Sequence, residues 1–274
     1  MNIRTSAPPS PRLRGASCAG LAACLCLVAT AAFAQATATQ KKPYEPTVGQ
    51  AGKDVVWVPT PQELVNKMLD MAKVTAQDYV MDLGSGDGRT VITAAKRGAT
   101  AVGIEYNPEM VELAKRNAEK EGVTAKATFM KADLFETDLS KATVITMFLL
   151  PDINMKLRPK ILNLKPGTRI VSNSFTMEDW EDDATETVSG ECTNWCTAHF
   201  WIVPAKVEGS WQTPQGELKL TQTFQKVKGT LGSQQVDGQL LGDQLTLTSA
   251  GKPVFTGTVN GTTIQGSAWS ATKR

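Results

Sequence analysis

Asp82-Leu83-Gly84-Ser85-Gly86-Asp87-Gly88-Arg89 is the stretch that decides the fold. It continues Tyr79-Val80-Met81-Asp82-Leu83, a short apolar run of strand type, and leads into a helix expected from Thr90 to Arg97. Glycines between strand and helix permit a tight turn and let a ligand approach the backbone, while the helix N-terminus adds polar N–H groups. A bare glycine loop is weak evidence, but the spacing here is informative. A dinucleotide fingerprint wants glycines at the first, third and sixth places, and Arg89 stands at the sixth. The pattern is instead Gly-x-Gly-x-Gly, preceded by an acid at the strand end.

Outward from that loop, strand and helix alternate from Trp57 to about Pro204. Leu64, Met68, Leu69 and Ala72 recur at helical spacing after Pro61, and Pro108 opens a second amphipathic helix. Ala101 to Glu105, Thr128 to Lys131, Val144 to Leu149 and Arg169 to Phe175 read as strands, with a helix from about Met155 to Leu164. A polar strand near Thr185 and a late strand from Ala198 to Val203 follow. Such alternation implies a parallel sheet covered by helices on both faces. Glu105 ends the second strand, 21 residues after Gly84, where a carboxylate can take two ribose hydroxyls. Asp133 follows the third strand. Three acids at the carboxyl ends of successive parallel strands line one crevice, the expected ligand position in such sheets.

These residues resemble the signature of class I S-adenosylmethionine-dependent methyltransferases across residues 57–204. The resemblance implies a Rossmann-like, doubly wound, mostly parallel sheet and S-adenosyl-L-methionine as cofactor. It puts Asp82 with Gly84, Gly86 and Gly88 on the methionine end, Glu105 on the ribose and Asp133 near the adenine amino group. Acids suit a cationic sulfonium and ammonium, and suit a pyrophosphate badly. A narrower resemblance is to the lysine methyltransferases of the ATP synthase c-subunit and the adenine nucleotide translocase. It rests on Val58-Pro59-Thr60-Pro61, Asp82 to Arg89, Gly103 to Pro108, Phe148-Leu149-Leu150-Pro151 and Leu164 to Arg169 leading to Trp180. The chain departs from that family in a secretory-type leader, the Cys192/Cys196 pair and a β-rich tail.

Methyl transfer asks a protein mainly to align nucleophile, methyl and sulfur and to strip water from the amine. Phe148 to Pro151, after the fourth strand, is where this fold puts its acceptor, and Thr60 and Trp180 are candidates to close over it. Trp180 reads equally well as a packed aromatic. No general base is assigned; His199 is expected as a core or edge histidine.

Composition bounds the rest. The 274 residues are 41% hydrophobic and 20% charged, an ordinary globular balance, and a single histidine excludes multi-histidine zinc sites. Arg4, Arg12 and Arg14 precede a charge-free run from Gly15 to Ala34 that ends Ala32-Phe33-Ala34, the pattern of a secretory signal peptide. A lipoprotein box at Cys24, a mitochondrial transit peptide and an uncleaved anchor are the alternatives. Export, to a periplasmic location with cleavage near Ala34, is the expectation, leaving no stable membrane span. Removing that leader, which holds three arginines and no acid, takes the formal charge from +2 to −1. A chain so near neutrality carries no electrostatic footprint for sequence-independent nucleic-acid binding. Only Cys192 and Cys196 then remain, and an oxidising compartment favours a small disulfide between them. With His199 they offer too few ligands for a metal, and none is expected.

Residues 35–55 are polar and read as a linker. The methyltransferase domain is expected over 56–204, and 205–274 form a small antiparallel β domain of about six or seven strands. There Gly, Thr, Gln and Leu alternate between turn signals such as Asp237-Gly238 and Asn260-Gly261. The reading that follows is a protein-lysine N-methyltransferase acting on a protein substrate. A small-molecule methyltransferase and an exported binding module that keeps the fold without turnover are the alternatives.

Overall fold

The structure, a computed structural model, describes residues 42–274. The signal peptide expected over 1–34 lies outside the described residues. No helix among the described residues is long and apolar enough to cross a membrane.

The first part of the chain alternates as expected. In chain order it holds α1 (Gln62–Met71), β1 (Tyr79–Leu83), α2 (Arg89–Lys96), β2 (Thr100–Glu105), α3 (Pro108–Lys120) and β3 (Ala127–Lys131). Next come β4 (Val144–Met147), α4 (Pro151–Ile161), β5 (Arg169–Asn173), β6 (Ala184–Thr187) and β7 (Thr197–Ile202). The seven strands form one sheet in the order β3-β2-β1-β4-β5-β7-β6. The first five are parallel, and β7 pairs antiparallel with both β5 and β6. Strand order reverses between β1 and β4, which makes their carboxyl ends the switch-point crevice.

The pleat sorts side chains between two cores. Val80 and Ala101 face α1, α2 and α3, against Leu64, Leu69, Val91 and Val111. Met81, Leu83, Val102 and Ile104 face α4, against Leu157 and Ile161. Asp82 is level with Gly103 in the β1–β2 register. By the two-residue period, Asp82 and Glu105 therefore share the first face, at the crevice. α3 is capped by Asn107, whose side chain accepts from the Glu109 N–H at 2.9 Å, with Pro108 at the first turn. α4 starts at Pro151, four residues before the expected Met155, because proline's fixed φ favours the first helical position.

The last part forms an eight-stranded closed antiparallel barrel. Its strands are β8 (Gly209–Thr213), β9 (Gly216–Thr223), β10 (Lys226–Leu231), β11 (Gln234–Leu241), β12 (Gln244–Ser249), β13 (Lys252–Asn260), β14 (Thr263–Gly266) and β15 (Ser270–Lys273). The sequence reads only six or seven, because β14 and β15 are four residues long and each buries one side chain, Ile264 and Ala271. β15 closes on β8 through Thr272 opposite Gln212 and Lys273 opposite Trp211. Trp211, Leu218, Leu245, Leu247 and Ile264 fill the interior, so it is a packed core and not a channel. The barrel docks through Phe224, stacked on Trp180 at 5.9 Å and covered by the Arg158 guanidinium at 5.1 Å. Gln225 Nε2 donates to the Glu181 carbonyl at 2.8 Å, and the Ala205 N–H donates to Gly242.

Candidate functional site

The glycine loop builds the floor of a cleft at the switch point. Gly84, Gly86 and Gly88 all hold φ in the left-handed region, at 77°, 53° and 84°. The loop hangs on β2: Gly84 and Ser85 N–H both donate to the Ile104 carbonyl, at 2.9 and 3.1 Å. Cβ atoms on Gly84 and Gly86 would stand 3.1 Å from Leu149 Cδ2 and 2.8 Å from Trp57 Nε1. Those two glycines line the cleft, and its walls leave no room for a side chain there. Gly88 differs. It caps α2, does not line the cleft, and a Cβ there would meet the Phe129 ring at 2.7 Å, so its job is packing.

Five acids line the cleft, Asp54 on the segment before Trp57 and four around the loop and the strand ends. Asp82 is buried, and its Oδ1 accepts from Thr146 Oγ1 at 2.6 Å. Burial pushes the Asp82 carboxyl up to about 7; the Thr146 hydroxyl pulls it down, and the Asp87 and Glu105 carboxylates push it further up. Asp87 is already paired, with Arg89 forked onto it at 2.6–3.2 Å. Arg89 also donates to the Thr60 carbonyl at 2.9 Å. Glu105 uses both oxygens on backbone: Oε2 accepts from Gly86 N–H at 3.0 Å and Oε1 from Asn107 N–H at 2.9 Å. It braces the glycine loop, a structural duty its place at a strand end does not suggest. Asp133 receives the Lys53 ammonium at 2.7 Å and the Phe135 N–H at 2.9 Å, and the lysine holds its carboxyl below the usual range.

Asp82, Gly84, Gly86, Glu105 and Asp133 thus line one cleft, together with Thr60 and Phe148. Its empty volume is about 1090 Å³ with the open mouth included, ample for a small-molecule ligand. Thr60 is buried at its edge, with Oγ1 accepting from Asn173 Nδ2 at 3.3 Å. Pro151 starts α4 and does not line the cleft. Trp180 corrects the sequence reading. The segment 174–183 runs back from the carboxyl end of β5 to the start of β6, and carries Trp180 into the α4-side core. There it is wholly buried beside Trp201 and Phe224, an anchor for the barrel and not an acceptor residue.

The sequence also misses a wall. Residues 42–55 are not a free linker: Gly49 N–H donates to the Trp57 carbonyl, Trp57 N–H to Gln50, and Gly52 N–H to Val55. The turn so made covers the cleft, with Trp57 over Gly86 and the Lys53 ammonium 4.7 Å above the Tyr106 ring. Its lack of regular apolar spacing hides this, because its order comes from hydrogen bonds and from Lys53, which pairs with Asp133 at 2.7 Å and Asp54 at 3.6 Å. The apolar run Val55-Val56-Trp57 at its end is a signal of it in the sequence. Cys192 and Cys196 form a disulfide in the loop between β6 and β7, as expected. His199, on β7, pairs its Nδ1 with Asp182 at 2.8 Å and lines no part of the cleft.

The donor set fits an S-adenosylmethionine molecule. Buried and half-buried carboxylates face a space floored by two side-chain-free residues, and the one arginine at the loop is neutralised by Asp87.

Comparison with known proteins agrees. Residues 82–184 match the ANTKMT methyltransferase domain. The chain is 51% identical over 129 residues to a protein-lysine N-methyltransferase of Saccharolobus islandicus, covering 46% of this chain and 80% of that protein. It is 34% identical over 128 residues to the human lysine N-methyltransferase of the ATP synthase c-subunit, 46% of this chain and about half, 54%, of the relative. A crystal structure of an RNA methyltransferase from Salinibacter ruber in complex with S-adenosyl-L-homocysteine superposes with a TM-score of 0.52. It is 45% identical, over 55% of this chain and 96% of that one. A cleft of this chemistry, at the switch point of this sheet and in a sequence so close to these relatives, identifies the chain as a member of the S-adenosylmethionine-dependent methyltransferases, in the family of the ANTKMT methyltransferase domain.

Proposed function

We propose that the protein methylates a lysine side chain of a protein substrate. The observation that carries this is the 51% identity over 129 residues to a protein-lysine N-methyltransferase. In this reading Asp82 and the backbone of Gly84 and Gly86 take the methionine end, Glu105 adds the ribose hydroxyls to its two backbone donors, and Asp133 takes the adenine amino group. To accept from an adenine amino group, Asp133 would have to part from Lys53, which holds it at 2.7 Å in the structure. The cofactor brings an already activated methyl group. The chain's work is to orient it, exclude water and receive an amine that has lost its proton. The amine enters past Phe148, with Thr60 across the cleft, and the apolar surface there lowers its pKa. No side chain is assigned as a base.

An RNA acceptor, as in the name of the Salinibacter ruber structure, is disfavoured by a formal charge of only +2. We also propose export, on the leader alone; mass spectrometry that finds residues 1–34 intact on a cytoplasmic protein refutes it. The activity is tested by incubating the protein with methyl-labelled S-adenosylmethionine and a protein extract, then hydrolysing the extract to amino acids. Label in methylated lysine is expected. Label in nucleotides, small molecules or nowhere overturns the reading.

A further inference from the structure

A second cavity adjoins the cofactor cleft, sharing Phe148 and the turn of residues 51–56 as walls. Its far wall is aromatic. Phe148, from the end of β4, Phe175, from the end of β5, and Trp195 stand with ring centroids 5.4–6.0 Å apart, at interplanar angles of 24° to 57°. Close aromatic packing normally belongs to a core, yet Trp195 is 45% exposed, and Val56 and Leu150 on the same cavity are 57% and 45% exposed. So large an apolar rim beside a catalytic cleft is unusual for surface that binds nothing.

Trp195 is held there at some expense of backbone freedom. It has φ +60°, a conformation bulky side chains rarely adopt, and it sits beside Cys196 within the loop that the Cys192–Cys196 disulfide closes. Strained residues of this kind persist where the surroundings fix them, and cluster at ligand sites. The charged side chains at the cavity are Lys53 and Asp54, and the Lys53 ammonium is held by Asp133 at 2.7 Å and by Asp54 at 3.6 Å. The cavity therefore offers a cation a wall of three aromatic rings, with no free positive charge to repel it.

We propose that Phe148, Phe175 and Trp195 form the recognition wall for the cationic head of the acceptor lysine, an alkylammonium and above all a methylated one, and that the disulfide is its positioning element. A methylated ammonium is poorly hydrated and spreads its charge over its methyl groups, which suits an aromatic wall better than a carboxylate pocket. The flanking Val55, Val56 and Leu150 take the butyl stem. The proposal rests on the lysine-methyltransferase reading and adds to it the place where the amine waits before it enters the cleft.

The test uses two probes, Nα-acetyl-trimethyllysine amide and its neutral carbon isostere with a tert-butyl head, titrated calorimetrically into the protein saturated with S-adenosylhomocysteine. Cation–π contributions predict that the cation binds about five- to thirty-fold more tightly than the isostere. Trp195→Ala, exposed enough to fold, should bring that ratio below twofold, and Trp195→Phe should keep most of it. The paired Cys192→Ser, Cys196→Ser change should lower the ratio towards that of Trp195→Ala. S-adenosylhomocysteine affinity, read in the same titrations, should stay within twofold of the parent in all variants, because Trp195 does not line the cofactor cleft. Equal affinity for the two probes in the parent, no detectable binding of the cation, or a ratio that survives Trp195→Ala overturns the aromatic wall. A ratio untouched by the serine pair overturns the disulfide's part in it. A parent that fails to bind S-adenosylhomocysteine instead overturns the methyltransferase reading beneath.

Discussion

Asp82→Asn should make the protein more stable and its cofactor site worse. The carboxyl is buried against Thr146 with two further carboxylates near, and its pKa stands at about 7 against an ordinary 3.8. For an acid whose folded pKa is raised, the folded state binds more protons than the unfolded one between those values. The stability contribution is then full below about pH 4 and is lost as pH rises to about 7. At 1.36 kcal/mol per pH unit, the loss approaches about 4 kcal/mol at pH 8. Asparagine keeps the Oδ1 acceptor for Thr146 and has no proton to lose. Chemical denaturation at pH 5 and pH 8 should therefore show the parent losing stability across the interval, and Asp82→Asn losing less by about 2.5 kcal/mol, because roughly two of the pH units between them lie below the folded pKa. Cofactor binding supplies the second arm. A cationic ligand at Asp82 needs the ionised form, so parent affinity should fall as pH drops below about 7, by up to tenfold per unit, while the variant binds weakly with a flatter profile. If the variant at pH 8 is no more stable than the parent, Asp82 does not carry a buried charge and the reasoning fails.

Glu105→Ala removes a loop brace together with the proposed ribose acceptor, so cofactor affinity should drop by more than tenfold, since charge-assisted bonds contribute roughly 1.5–3 kcal/mol each. Unlike a pure ligand contact, it should also lower the thermal midpoint, and an unchanged midpoint counts against the brace. Gly88→Ala drives a methyl into the Phe129 ring at positive φ, and urea denaturation should show about 2–3 kcal/mol lost, where a neutral result refutes the packing role. Phe224→Ala uncovers one face of Trp180 and should cost about 3–5 kcal/mol with cofactor affinity of the folded fraction unchanged. A chain ending at Pro204 loses the same contact, so it should show lower stability than the full chain by differential scanning calorimetry.

Much of this was legible in the chain. The β1 and α3 starts, the reach of β2 and the five cofactor-side residues that line the cleft follow from apolar periodicity and from the acid and glycine spacing. Those signals are local, and local chemistry fixes them. What escaped depends on distant partners. Trp180 reads evenly as a pocket or a packed aromatic because nothing nearby reveals that the chain doubles back behind the sheet, or that Phe224, far along, will cover it. The covering turn of residues 49–57 escapes because a segment this short carries no helical or strand periodicity, and the Lys53–Asp133 pair that fastens it joins residues 80 positions apart. Trp195 escapes for a third reason: its importance lies in a left-handed backbone and two neighbouring rings, neither of which a one-dimensional pattern encodes.

The barrel's attachment has a geometric consequence. Phe224, Gln225 and Gly242 grip the amino-terminal side of the sheet, at Trp180, Glu181 and Gly167, whereas every residue lining the two cavities falls within 50–195 and gathers at the carboxyl ends of the parallel strands. Tether and workplace therefore occupy opposite poles of the molecule. The barrel lends no wall to either cavity, and a change confined to it can reach the cleft only through the sheet that lies between them.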